Sequence, residues 1–280
     1  MPRPPEVLAV GDVRLVIDLD HGARAIEWTV GELSLLARHG DDPVEYGMYP
    51  MAPWAGRLRG NRATMNGEEH VLPTTYGPWA LHGTVLDQPV EVIELVRTDE
   101  RVLLVGQVVE HAGWPWPMAV DIIWDLRERE LITEINVYPR DGQFPVVVGW
   151  HPWFRRDLGR GGPLEWSIDA TAQAERGEDH LPTGRLIEVG MGPFDDAFVV
   201  PDGRATVRWP GALTLDIQND HEWYVVFDEL PGSACVEPQS GPPNAFNDDL
   251  GRPVPSAAPG RPHLMVTRWT MRDAPLADQA

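Results

Sequence analysis

Cysteine is almost missing from this 280-residue chain: Cys235 is the single one. That excludes an internal disulfide framework and any zinc site built on several cysteines. Cys235 reads either as a nucleophile or as a small apolar residue inside a strand. Its apolar neighbours, and the lack of a base beside it, favour the second reading. Positive charge is also scarce. Lys and Arg total 23 against 43 Asp and Glu, a formal net charge of −20. Nucleic acids and anionic membranes both want a basic face, so neither is an expected partner. A strongly anionic substrate is disfavoured too, unless arginines gather locally. No apolar run is long enough to span a bilayer. No signal-like apolar core follows Met1-Pro2-Arg3-Pro4-Pro5, and a soluble cytoplasmic protein is expected. No His-x-His pair and no His-Glu-x-x-His helix occurs, so neither a metal nor another cofactor is expected. Gly159-Arg160-Gly161-Gly162 reads as a plain turn, because no helix follows it.

Helix-period segments are nearly absent as well. Short runs of β type dominate, at 13–18, 25–30, 90–96, 102–109, 118–125, 131–138, 146–150, 164–168, 205–209, 213–217, 223–228 and 264–271. Leu131-Ile132-Thr133-Glu134-Ile135-Asn136-Val137-Tyr138 alternates apolar and polar residues with period two, as a half-buried strand does. The 28 prolines and 27 glycines fall largely between such runs. The spacing predicts an all-β fold, a large antiparallel β-sandwich or barrel. With no internal repeat and no linker, residues 1–280 are expected to form a single domain. Residues 251–262 read as a long loop before a last strand, and 273–280 as a frayed tail.

Residues 47–83 differ from the rest. Strand signals thin out, and Pro50, Pro53, Trp54, Gly56, Arg57, Arg59, Asn61, Arg62, Tyr76 and Trp79 crowd together. A long irregular stretch in a compact domain is usually functional. Aromatic rings with arginines and amides suit a polyol, because rings stack on C–H faces and forked donors read hydroxyls. Further on, Glu237 ends the apolar run Ser233-Ala234-Cys235-Val236 and is followed by a polar loop. His82 lies in Ala80-Leu81-His82-Gly83, and His151 in Gly149-Trp150-His151-Pro152-Trp153-Phe154. One carboxylate and two histidines in such surroundings point to proton transfer on a small polar molecule. The other seven histidines (21, 39, 70, 111, 180, 221 and 263) read as surface or structural.

The order of these motifs resembles the aldose 1-epimerase (mutarotase) family, in its broader bacterial branch. Gly56-Arg57 is followed by Asn61-Arg62 and Gly67, then by Tyr76-Gly77-Pro78-Trp79-Ala80-Leu81-His82-Gly83. Gly113-Trp114-Pro115-Trp116-Pro117, Trp150-His151-Pro152-Trp153-Phe154, Phe194-Asp195-Asp196-Ala197-Phe198 and Cys235-Val236-Glu237-Pro238-Gln239 come next in turn. The resemblance implies a galactose mutarotase-like supersandwich that interconverts the α and β anomers of a free aldohexose. It implies Glu237 as general base and His151 as general acid. His82, Arg57, Asp195, Trp79 and Trp153 would hold the sugar, with no metal and no cofactor. Asp196 could replace Asp195, and Arg59 or Arg62 could replace Arg57. Trp79 and Trp150 depart from the residues common in galactose mutarotases, so the sugar preference stays open.

Three alternatives remain at this point. Arg57, Arg59, Arg62, Arg155 and Arg156 could make a phosphate site, which would give a hexose-6-phosphate 1-epimerase. The same fold could be a non-catalytic carbohydrate-binding or sensing protein. A glycoside-cleaving enzyme would need a second carboxylate beside Glu237, from Asp195 or Asp248. A monomer and a homodimer fit equally well. All the enzyme readings require residues 82, 151 and 237 to meet at one hollow.

Overall fold

A computed structural model describes residues 2–65, 68–247 and 250–273. Gly67, Asp248 and most of the proposed frayed tail therefore lie outside the described residues. Among those described, there is no α-helix, and the regular structure is β-strand with one short 3-10 turn at Arg59–Asn61. No helix among the described residues is long and apolar enough to cross a membrane.

Two antiparallel sheets make up the bulk. The twelve-stranded sheet runs Glu6–Val10, Val13–Asp18, Arg24–Val30, Met48–Met51, Gly149–Pro152, Ser233–Gln239, Trp223–Phe227, Asp195–Val199, Ala172–Arg176, Pro182–Ile187, with two short strands attached off this path. The eight-stranded sheet runs Glu165–Ile168, Arg204–Trp209, Leu213–Asn219, His263–Asp273, Glu130–Pro139, Met118–Arg127, Arg101–Val108, Glu91–Arg97. Rings from the two sheets meet in the core. Trp28 and Trp269 lie 6.0 Å apart, and Trp124 and Trp150 lie 4.8 Å apart, both edge to face. All four are fully buried. Truncating any of them to Ala would cost about 3–5 kcal/mol.

Four strands of the eight-stranded sheet, Arg101–Val108, Arg204–Trp209, Leu213–Asn219 and most of His263–Asp273, bury every second residue. Leu213–Asn219 alternates buried and intermediate positions throughout, because one face covers the core and the other meets solvent. The middle of the large sheet differs: Met48–Met51, Gly149–Pro152 and Ser233–Gln239 are buried at every position. One face of these strands packs on the core, so the other must lie beneath something else. That covered face carries the candidate site.

The structure corrects several sequence expectations. The run expected at 146–150 becomes a strand only at Gly149–Pro152. Residues 47–83 are not wholly irregular, since they contain Met48–Met51 and the hairpin Arg62–Met65 with Glu68–Val71. The loop at 251–262 pairs through Ser256–Ala257 with Phe144–Pro145. Strands Glu6–Val10, Ala172–Arg176, Pro182–Ile187 and Asp195–Val199 were not read from the sequence. Ala172-Gln173-Ala174-Glu175-Arg176 and Pro182-Thr183-Gly184-Arg185-Leu186-Ile187 lack β-branched alternation, and their pairing comes from neighbours in the sheet.

Candidate active site

Strand register brings the site together. Cys235, Glu237 and Gln239 share one face of their strand, since successive side chains alternate. Gly149 pairs with Gln239, so the antiparallel count carries residue 151 opposite residue 237. His151 also pairs directly with Tyr49, and Glu237 with Val225. Tyr49, His151, Glu237 and Val225 thus form one row across four strands. Asp195 enters from the next strand, opposite Phe227.

Three members of this row, His151, Glu237 and Val225, line a cavity of about 310 Å³, with Tyr49 buried beside it. His151, Glu237, His82, Arg57, Trp153 and Asp195 all line it. His151 Nε2 is 3.2 Å from Glu237 Oε1. Glu237 is 3% exposed and His151 6%, so water reaches neither freely. Gln239 Nε2 donates to Glu237 Oε2 at 3.1 Å and fixes the carboxyl plane. Two rings pack on the imidazole of His151: Tyr49 stacks on it at 4.7 Å, and Trp153 tilts against it at 5.0 Å. Trp153 Nε1 in turn donates to the Val44 carbonyl at 2.9 Å.

His82 reaches the cavity by a constrained turn. Its backbone has φ 58°, a left-handed value that is unusual without glycine. The His82 amide donates to the Gly56 carbonyl at 3.0 Å, and the Gly56 amide donates to His82 Nδ1 at 3.1 Å. Nδ1 is therefore the acceptor, and Nε2 carries the proton and is free to donate. The next residue has to be Gly83: a Cβ there would lie 1.9 Å from the Ala52 carbonyl oxygen. The His82 and His151 rings meet edge to face at 5.1 Å.

Burial sets the protonation of this end. Desolvation pushes Glu237 well above the usual carboxylate range, and Asp195 adds to the effect. Desolvation pushes His151 down to about 3, with Arg24 contributing. It also lowers His82 well below its ordinary value, helped by His151 and Arg57. The His151–Glu237 contact is a coupled pair, which in its neutral form holds one proton, on the carboxyl.

The outer part of the cavity is built from ions. Arg57 Nη1 lies 3.7 Å from Asp195 Oδ2. Arg176 lies 3.6 Å from the same oxygen, 3.3 Å from Asp196 and 3.4 Å from Glu229. His180 Nδ1 stands 4.0 Å from Asp195. Desolvation raises Asp196, against the pull of Arg176.

Six of the seven predicted site residues thus line one cavity. Trp79 does not: its ring packs against the main core and its backbone bonds to Tyr76. Its ring is drawn to the apolar interior, while Tyr76 lines the cavity. His39 and His180, read as surface or structural, line it as well. His39 contacts Ser233 Oγ at 2.6 Å and the Trp153 ring at 5.1 Å. Arg176, Tyr49 and Leu230 were missed. Arg176 sits in a strand the sequence did not betray, and Tyr49 carries no motif beyond the apolar run around it. Of the five arginines offered for a phosphate, Arg57 alone lines the cavity. Arg59 pairs with Asp179, Arg62 pairs with Glu69, and Arg155 donates to the Leu36 carbonyl. Arg156 donates to the carbonyls of Leu230, Ser233 and Asp228.

Cys235 is fully buried on the Glu237 face, and the donor atoms of His151, Cys235 and Glu237 lie within 4.8 Å of one another. Burial pushes the thiol well above its ordinary value, whereas metal ligation needs a thiolate. The same protonated state makes Cys235 a poor nucleophile.

The sequence matches the family described as Aldose 1-epimerase over residues 12–267. The Escherichia coli protein YihR, described as uncharacterised, is 23% identical, with 92% of this chain and 90% of that protein covered. A galactose mutarotase-like protein from Clostridium acetobutylicum superposes with a TM-score of 0.82 at 15% identity, covering 95% of this chain and 94% of that one. Galactose 1-epimerase from Lactobacillus acidophilus superposes with a TM-score of 0.79 at 14% identity, covering 97% and 95%. The chain belongs to the aldose 1-epimerase family, and the fold is that of its solved relatives.

Proposed function

We propose that this member of the aldose 1-epimerase family interconverts the α and β anomers of a free aldohexose by general acid/base catalysis at Glu237 and His151. The 3.2 Å contact between these two buried side chains, at the bottom of a sugar-sized cavity, carries the reading. Ring opening needs one proton removed from the anomeric hydroxyl and one delivered to the ring oxygen. Glu237 as carboxylate takes the first, and His151 as imidazolium supplies the second, while the bond from C1 to the ring oxygen breaks. The aldehyde end turns about the C1–C2 bond. The ring then closes on its other face, with His151 recovering its proton and Glu237 returning one to O1. Nothing is consumed. The acid/base pair starts and ends with one proton between its members, the same count as the neutral carboxyl–imidazole form favoured by burial. Each member contributes about 10²–10⁴-fold.

Further residues have roles that this chemistry calls for. His82 Nε2 is the free donor of its ring and offers a hydrogen bond to a sugar hydroxyl. Trp153 and Tyr76 supply flat surface for the sugar's C–H faces. Arg57 and Asp195 supply a donor and an acceptor for hydroxyls farther from C1. A free sugar is favoured over a 6-phosphate, because Arg59, Arg62, Arg155 and Arg156 are committed elsewhere and the cavity's arginines already face carboxylates. The test is anomer exchange followed by polarimetry and by NMR, on glucose, galactose and glucose 6-phosphate. Turnover confined to the phosphorylated sugar overturns the free-sugar reading. Sugar binding without any exchange leaves a binding protein in place of an enzyme.

A further inference from the structure

A buried arginine stands behind the proposed acid. Arg24 is 0% exposed, yet no carboxylate pairs with it among the described residues. Its Nη1 donates to the carbonyls of Tyr46, at 2.8 Å, and Pro43, and its Nη2 to that of Leu86 at 3.1 Å. Its Nε has no partner. Leaving a guanidinium in the interior without an anion is costly, and an apolar side chain would fill the space without that cost. A reason other than packing is therefore needed.

The guanidinium lies over two rings, that of Tyr46 at 4.3 Å and that of Tyr49 at 4.7 Å. The Tyr49 ring stacks in turn on His151, with 4.7 Å between ring centres and 16° between the two ring planes. Two successive steps of 4.7 Å place the permanent charge within about 9 Å of the imidazole, through material that water does not enter. Tyr49 itself is anchored, its hydroxyl donating to the Val44 carbonyl at 3.2 Å. Trp153, which also packs on His151, donates to that same carbonyl.

We propose that Arg24 is a positioning residue for the acid/base pair: through the Tyr49 ring its guanidinium fixes the plane of His151 and sets the pH window in which His151 and Glu237 share one proton. The proposal rests on the acid/base reading above. The titratable and charged groups facing His151 are Glu237 at 3.2 Å, His82 at 5.1 Å between ring centres, Cys235 and Tyr49, with His39 beyond Trp153 and Arg57 beyond His82. Burial keeps Cys235 and Tyr49 protonated and neutral. Arg24 is thus the permanent cation on the ring-stacked side, and it opposes a second proton on the pair. Without it both limbs of the activity profile move to higher pH, because a positive charge favours loss of every proton nearby.

Three proteins are compared: wild type, Arg24→Met and Arg24→Lys, each with its folding checked by circular dichroism. Two measurements are made, the pH profile of kcat/KM for anomer exchange and the ¹⁵N shifts of His151 from about pH 4 to about pH 9. In wild type His151 stays neutral across that range. In Arg24→Met both limbs move up by about one pH unit and His151 begins to charge at the acid end. Its kcat falls about tenfold, the loss expected when a general acid is misaligned. Lysine keeps the charge but loses the planar stack, so Arg24→Lys holds the limbs in place and loses about threefold in kcat. A folded Arg24→Met whose limbs and His151 shifts match wild type overturns the proposal. Should that variant not fold, an Arg24→Lys protein with unaltered kcat overturns it alone. If the wild type shows no exchange at all, the acid/base reading fails, while the ¹⁵N shifts still decide whether Arg24 governs His151.

Discussion

The two ends of the cavity are built on opposite principles. At the inner end, Glu237, His151 and His82 are nearly dry, and each is held in its less charged form. At the outer end, Arg57, Arg176, Asp195 and His180 are between one-fifth and three-fifths exposed and stand in an ion cluster. Dryness makes proton affinities easy to shift and proton transfer between fixed partners easy to direct. Ions that water can reach are cheap to hold, adaptable to hydroxyls and weak individually. On the proposed function, chemistry falls to the inner end and recognition to the outer.

Mutation should separate the two ends sharply. Glu237→Gln and His151→Asn should each lower kcat about 10²–10⁴-fold, with KM little altered, measured as anomer exchange by NMR. Equal losses in kcat from the outer arginine would erase the distinction.

Acid should break the inner end first. His82 and His151 have folded-state affinities below the ordinary value of 6.5, and so do two histidines outside the cavity, His111 and His263, both lowered by desolvation to about 4. The unfolded chain therefore binds these protons first. Stability is full above about pH 6.5 and is lost as pH falls below it, at about 1.4 kcal/mol per pH unit for each histidine. Glu237 is shifted upward and works in the opposite sense, offsetting one of them. Urea unfolding at a series of pH values checks the slope; a stability flat between about pH 6.5 and 4.5 would contradict the dry environment described for these rings.

At the outer end, Asp195→Asn and Arg57→Gln should raise KM by about tenfold and change kcat by much less, since the contact they remove is made equally with substrate and transition state. Titration of kcat and KM on glucose and galactose would show which hydroxyl each residue reads.

The smallest effect is expected from an arginine outside both ends. Arg59→Gln removes an exposed pair with Asp179 and a hydrogen bond to the Pro182 carbonyl, and should change stability by no more than about 1 kcal/mol. It should leave the ratio of glucose to glucose 6-phosphate turnover unchanged. A drop confined to the phosphorylated sugar would return Arg59 to the site.

Much of this was legible beforehand, for identifiable reasons. Period-two runs such as Leu131 to Tyr138 mark strands because one face must be apolar. Gly56-Arg57, His82, His151, Asp195 and Glu237 were found because special residues in polar, Gly/Pro-edged settings leave a local trace. Trp79 misled for the same reason: a conspicuous ring in a functional stretch turned to the core. Arg24, Tyr49 and Arg176 left no such trace. Arg24 sits within an ordinary strand, and its burial and its ring and carbonyl partners exist only after Pro43, Tyr46, Tyr49 and Leu86 gather around it.

What the chain settles by itself is its class and its cast: alternation forces strands, the Trp-rich core forces two sheets to face each other, and carboxylate, imidazole and arginine are the groups on offer for the proton transfer and hydroxyl recognition proposed above. Only the tertiary structure decides who meets whom. The antiparallel register across Tyr49, His151 and Glu237 joins residues far apart in sequence, and the depth of that row removes the water that would otherwise keep their proton affinities ordinary. Proximity and dielectric are properties of packing, and no local pattern of residues encodes them.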